Sequence, residues 1–166
     1  MKDIGSFQLV GQSGEFLAGL ELIRRRYQVR IFGGTFPGID LLAIDKKSNQ
    51  FPIQVKTIRK GGAWQFNAAK FMKIKFAGNT QIVERRLKLS NLDFINIFVR
   101  IIDLDKYEAE YFLLKRRDVQ NILVRNYKKW LEIHNGVRPK KPKSTHCSIV
   151  TEDLEVYRDN WKILRK

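Results

Sequence analysis

Apolar positions recur along the chain with two different periods, and the switch between them predicts the elements. After the turn-like "GQSG" (11–14), Phe16, Leu17, Leu20, Ile23 and Tyr27 fall at helical spacing, which predicts a helix over Glu15 to Tyr27 with one buried face. Arg24, Arg25 and Arg26 close its last turn, where cations suit the helix dipole. "YQVRIF" (27–32) alternates as a strand does and stops at Gly33-Gly34, and "FPG" (36–38) punctuates the entry to the next strand. "IDLLAI" (39–44) and "FPIQVKTI" (51–58) carry apolar residues on both faces, as strands covered from two sides do. The polar turn "DKKSNQ" between them predicts a β-hairpin.

Downstream, "WQFN" (64–67) and "KFMKIKF" (70–76) fit either a strand with alternating lysines or the start of a helix. "LDFINIFVRII" (92–102) and "AEYFLL" (109–114) predict two further strands. A helix over Arg116 to Ile133 follows, with Val119, Ile122, Leu123, Tyr127 and Trp130 on one face. The chain closes with the apolar run "CSIV" and with Leu154, Tyr157, Trp161 and Leu164 at helical spacing. The order predicts a mixed α/β domain, helices packed on a central sheet, and 166 residues suffice for one sizeable core.

Charge changes the picture most. The chain has 32 Lys+Arg against 17 Asp+Glu, a net +15, which points to a polyanionic partner, nucleic acid first. The excess is uneven: Arg59, Lys60, Lys70, Lys73, Lys75, Arg85, Arg86 and Lys88 face one acid, Glu84, in a thirty-residue tract, 8 − 1 = +7. A second cluster, "RPKKPK" (138–143), reads as a cationic loop that includes Lys140 and Lys141. No run is long and apolar enough for a membrane span and no secretory signal opens the sequence, so a cytoplasmic protein is expected. The one cysteine, Cys147, rules out an internal disulfide, and with His134 and His146 it falls short of a zinc ligand set.

The chemistry sits in the hairpin. Gln54 and Lys56 point to one side of their strand. If the turn is symmetric about Lys47, residues whose numbers sum to 94 face one another, and Asp40 falls opposite Gln54. A turn displaced by one residue would break that pairing. A carboxylate and an amide oxygen are hard ligands of the kind Mg²⁺ accepts, with Mn²⁺ as an alternative, and the Val55 carbonyl between them is a third candidate. A lysine beside such an ion can position water, take a proton or stabilise charge at phosphorus. Buried carboxylates and ammonium groups are costly unless partnered, which favours one shared site over accidental placement.

Asp40 followed by Gln54-x-Lys56, with Glu15 in "GQSGE", resembles the PD-(D/E)xK nuclease superfamily, which includes restriction enzymes, Holliday junction resolvases and some homing endonucleases. The resemblance covers about residues 11–67. Pro37 lies three residues before Asp40 instead of beside it, and Gln54 replaces the usual acid, a variant found among the superfamily's homing endonucleases. The resemblance implies a restriction-endonuclease-like core spanning residues 1–166 as one nuclease domain. It further implies metal ligands Asp40, Gln54, Val55 and Glu15, Lys56 at the nucleophile, and double-stranded DNA as substrate. Cleaving both strands needs two sites, hence a homodimer or a dimer of dimers. The expected DNA contacts are Arg59, Lys60, Trp64, Gln65, Asn67, Lys70, Lys73, Lys75, Arg85, Arg86, Lys140 and Lys141. Trp64 and Phe66 have a competing role in the core, and Glu15 a competing role as a first-turn acid. Two other functions stay open: a non-catalytic nucleic-acid-binding protein on the same scaffold, and an endonuclease for structured RNA or Holliday junctions.

Overall fold

A computed structural model describes residues 6–33 and 36–165; Gly34, within the expected strand stop, lies outside them. The elements are α1 (Ser6–Arg24), β1 (Gln28–Ile31), β2 (Leu41–Ile44), β3 (Gln50–Arg59), β4 (Trp64–Asn67), β5 (Met72–Ala77) and β6 (Thr80–Arg86). They continue as β7 (Ile95–Asp103), β8 (Glu108–Lys115), α2 (Arg116–Ile133), β9 (His146–Ile149) and α3 (Thr151–Leu154). Five strands form the central sheet in the order β1-β2-β3-β7-β8, antiparallel except where β3 and β7 run parallel. The fold is α/β, a mixed sheet flanked by helices. Among the described residues no helix is long and apolar enough to cross a membrane.

Each face of the sheet has its own apolar layer, which is why β2 and β3 are apolar on both sides. Odd-numbered β3 residues Phe51, Ile53 and Val55 join Leu41, Ala43, Ile97 and Val99 beneath α1. The opposite face puts Ile58, Phe98, Phe112 and Leu114 against α2, which buries Val119, Ile122, Leu123 and Tyr127.

The first helix departs from expectation in two ways. It starts at Ser6, so "GQSG" lies inside it, and Tyr27 lies beyond its end. Its buried residues are Leu17, Ala18 and Leu22, while Phe16, Leu20 and Ile23 are about half exposed. The cause is the row Gly14, Ala18, Leu22, spaced four apart, whose small members let the helix lie close to β3. A Cβ on Gly14 would stand 1.9 Å from the Thr57 hydroxyl oxygen and 2.6 Å from its methyl. A glycine is therefore required there by contact and not by a turn, and Ser13, whose hydroxyl donates to the Leu9 carbonyl at 2.7 Å, is accommodated in mid-helix.

Gly14→Ala should destabilise the protein by about 1–3 kcal/mol despite alanine's better helix propensity, because Thr57 is β-branched and held in a strand. Urea unfolding at least as resistant as wild type would contradict the close approach.

Candidate functional site

The hairpin pairs Leu41 with Ile53, Leu42 with Pro52 and Ala43 with Phe51, the register in which paired numbers sum to 94. Asp40, just before β2, is held by three hydrogen bonds. Its N–H donates to the Ile53 carbonyl at 2.9 Å, and its carbonyl accepts from the Phe32 N–H at 2.9 Å. Its carboxylate Oδ2 accepts from the Val55 N–H at 2.7 Å. A strand residue's N–H and C=O point to the same edge, so the Val55 carbonyl is directed to the Asp40 side as well. Asp40, Gln54 and Lys56 are all partly buried.

Glu15 comes from the other layer. It lies in mid-helix, which removes the first-turn role weighed for it. Burial, and then the Asp40 charge, raise its carboxyl pKa above the ordinary glutamate value. Glu15 thus senses the Asp40 charge at the point where the chain enters β2. A cation there would relieve both effects, and the donor chemistry fits one: two carboxylates, an amide oxygen and a main-chain carbonyl, all hard oxygens. Among the described residues no three acidic, histidine or cysteine side chains converge as a metal cluster, so the fit depends on Gln54 and Val55 besides the acids.

Lys56 is braced from behind. Trp64 donates its indole N–H to the Lys56 carbonyl at 2.9 Å, and the Lys56 Nζ stands 6.0 Å from the centre of the Phe66 ring. Trp64 itself is 2% exposed, edge-on to Phe98 and Phe112 at 5.3 and 6.0 Å. This corrects its assignment as a DNA contact: the ring fills the core and its one donor is already used. Phe66 is partly buried against the same layer.

The chain is similar in fold to the bacterial homing endonuclease I-Ssp6803I. The TM-score is 0.51 at 14% identity, over 96% of this chain and 93% of that one. No protein-family model and no curated protein matches the sequence. At that identity the likeness to I-Ssp6803I speaks for a nuclease-like fold, and the residues must argue the rest.

An open cleft of about 680 Å³ borders Lys56 and runs along Thr57, Arg59, Lys60 and Gln65. Arg59 and Lys60 at the end of β3, Lys70, and Lys140 and Lys141 in the 138–143 loop are exposed. Gln65 is exposed and donates to the Ala63 carbonyl at 3.1 Å; Arg86 donates to Asn121 at 2.6 Å. Asn67 spends its side-chain oxygen on the Ala69 N–H and the Thr145 hydroxyl, capping a short 3₁₀ turn at Ala68–Lys70. Lys73, Lys75 and Arg85 lie on the β5–β6 ribbon, which resolves "KFMKIKF" as a strand.

Two polar residues at the site escape the sequence reading. Asn96 on β7, 5% exposed, is the register partner of Gln54. Thr57 buries its hydroxyl under Gly14 with no hydrogen-bond partner among the described residues. Asn96 carries the same signal as Gln54, an amide inside an apolar run ("FINIFV").

Because folded Glu15 holds its proton more tightly than the unfolded chain, its contribution to stability is present in acid. It is lost as pH rises from about 4.3 through the raised value. Without metal, Glu15→Gln should therefore gain stability relative to wild type as pH rises toward 7, with a flat difference below about pH 4. Thermal melts at several pH values check this, and a difference independent of pH would contradict it.

Proposed function

We propose that the chain is a divalent-cation-dependent endonuclease acting on double-stranded DNA, of the PD-(D/E)xK type with Gln54 in the variable position. The observation that supports the reading is the Val55 N–H on the Asp40 carboxylate within a hairpin whose paired numbers sum to 94, a register that would set Gln54 opposite Asp40, with Lys56 on the side of β3 that Gln54 takes and Glu15 within the field of Asp40. The nuclease-like fold and the +15 charge agree with it.

Asp40, Gln54, the Val55 carbonyl and Glu15 would hold Mg²⁺ or Mn²⁺. When bound, such an ion lowers the pKa of a water and polarises a phosphate oxygen. Asp40 is pre-oriented for this, since the Val55 N–H fixes Oδ2 and leaves Oδ1 to the site. Lys56, with its carbonyl anchored by Trp64, presents three N–H donors to the attacking water or to charge developing on phosphorus. Glu15, which keeps its proton to higher pH than an ordinary glutamate, is suited to orienting water or to a second ion. Arg59 and Lys60 line the adjoining cleft and would take phosphates, each contact adding about −0.9 to the slope of log affinity against log salt. The whole of residues 1–166 is assigned to this one nuclease unit. A second copy would supply the second site for cutting both strands, and the half-exposed stripe Phe16, Leu20 and Ile23 on α1 offers it an apolar surface.

Gln54 itself supports a second reading, a DNA-binding scaffold whose site has lost an acid. The two separate cleanly. Asp40→Asn keeps an acceptor for the Val55 N–H while removing the charge. Metal-dependent cleavage of varied duplex DNA by wild type should fall at least 100-fold in Asp40→Asn and in Lys56→Ala, on the scale of losing a charged or acid–base group from a site. Binding without cleavage by wild type, or variants that cut as well, would overturn the catalytic assignment. Gln54→Glu should raise Mg²⁺ affinity by restoring a charge; calorimetry showing no gain would remove Gln54 from the ligand set.

A further inference from the structure

The proposed chemistry leaves the β5–β6 ribbon unused. It forms a two-stranded sheet of its own, closed by Gly78-Asn79 with Gly78 at φ +60°, as the first central position of a tight hairpin turn requires. One face is anchored. Met72 is fully buried, and Ile74 and Val83 pack on the α2-side core. Gln81, 2% exposed, donates its side-chain amide to the Pro142 and Ser144 carbonyls at 2.5 and 3.1 Å and its main-chain N–H to Gly136 at 2.8 Å. It also accepts from the Tyr127 hydroxyl, while Lys143 donates to the Gly78 carbonyl at the ribbon's tip. These bonds join the two basic tracts, far apart in sequence, into one rigid projection.

The other face is built differently. Register pairs Lys73 with Arg85 and Lys75 with Ile82. Glu84 falls at the irregularity of the ladder, and its carboxylate takes both lysines, at 3.0 Å from Lys73 and 2.9 Å from Lys75. Like charges directly opposed across a ladder are destabilising. One glutamate offsets Lys73, Lys75 and Arg85 only in part, 3 − 1 = +2. Among these cations Ile82 is 52% exposed. A face of cations with a central branched apolar group matches neither a core nor a plain phosphate-binding surface.

We propose that this face reads base edges in the major groove of duplex DNA, an inference that rests on the nuclease reading above. The major groove, about 12 Å wide, admits a two-stranded ribbon whose strands lie about 4.8 Å apart. The six residues of β5 extend about 20 Å, the length of about six base pairs. Arg85 and Lys73 carry the donors that guanine O6 and N7 accept, and Ile82 offers apolar contact to a thymine methyl. Glu84 ties Lys73 and Lys75 together on this face. Double-stranded RNA is a poor fit, because its major groove is deep and narrow. Lys140 and Lys141, in a loop beside two prolines, suit phosphates instead.

The test selects bound duplexes from a randomised library with wild type, Arg85→Ala, Ile82→Thr and the double variant Lys140→Ala/Lys141→Ala, each checked for an unchanged melting temperature. Arg85→Ala should lose discrimination at a guanine by about 5- to 150-fold while other positions keep theirs, and Ile82→Thr should relax a thymine within the same six base pairs. The double variant should keep the wild-type pattern and lower the salt slope by about 1 to 2. If wild type binds duplex DNA but Arg85→Ala and Ile82→Thr leave the pattern intact, or duplex RNA competes equally, the ribbon assignment is overturned alone. If wild type binds no duplex DNA at all, the nuclease reading fails with it.

Discussion

The bond from the Val55 N–H to the Asp40 carboxylate is the contact on which the site depends. Asp40 lies just before β2 begins, where a main-chain donor of β3 would otherwise lack a strand partner. An unsatisfied buried N–H costs about 1–3 kcal/mol. Asp40 supplies the acceptor from its side chain, and its own N–H and carbonyl are tied to Ile53 and Phe32. The acid is thus held by the same bonds that lead the chain into β2. A functional carboxylate needs this kind of support, since its geometry must hold to fractions of an ångström.

The second constraint is the distance between α1 and β3. Gly14 lets the helix lie against Thr57, and the next residue, Glu15, is thereby carried into the field of Asp40 from the opposite layer. Burial and the Asp40 charge together raise the cost of ionising Glu15, and a cation removes that cost. On the far side Trp64 fixes the main chain at Lys56 from within the core. Acid, amide, lysine and second acid are therefore positioned by three independent pieces of packing. Gln54 and Lys56 lie on β3 and Glu15 on α1, and Asp40 directly precedes β2.

Much of this is legible in the sequence, for definable reasons. The hairpin register follows from local alternation and a symmetric turn, and α2 shows its boundaries because its apolar face is regular and uninterrupted. The polar residues Gln54 and Lys56 stand out because their neighbours are apolar. What fails is whatever depends on contacts distant in sequence. Helix α1 is apolar on two sides, so periodicity selects Phe16, Leu20 and Ile23 along with the buried Leu17, whereas the buried side is set by the small residues Gly14 and Ala18 against β3. Trp64 reads as an aromatic near a basic tract until Phe98 and Phe112 enclose it. The union of the ribbon with the 138–143 loop rests on Gln81, an unremarkable glutamine whose partners lie some sixty residues away.

One cation site formed by Asp40, Gln54, Val55 and Glu15 would unite these features. Substoichiometric Mn²⁺ added to isotope-labelled protein, followed by paramagnetic broadening of amide resonances, addresses it directly. Val55, Gln54, Asp40 and Glu15 should broaden first and together. Broadening that begins at the Asp103–Asp105 turn or near Glu155, with the Val55 amide untouched, would contradict it.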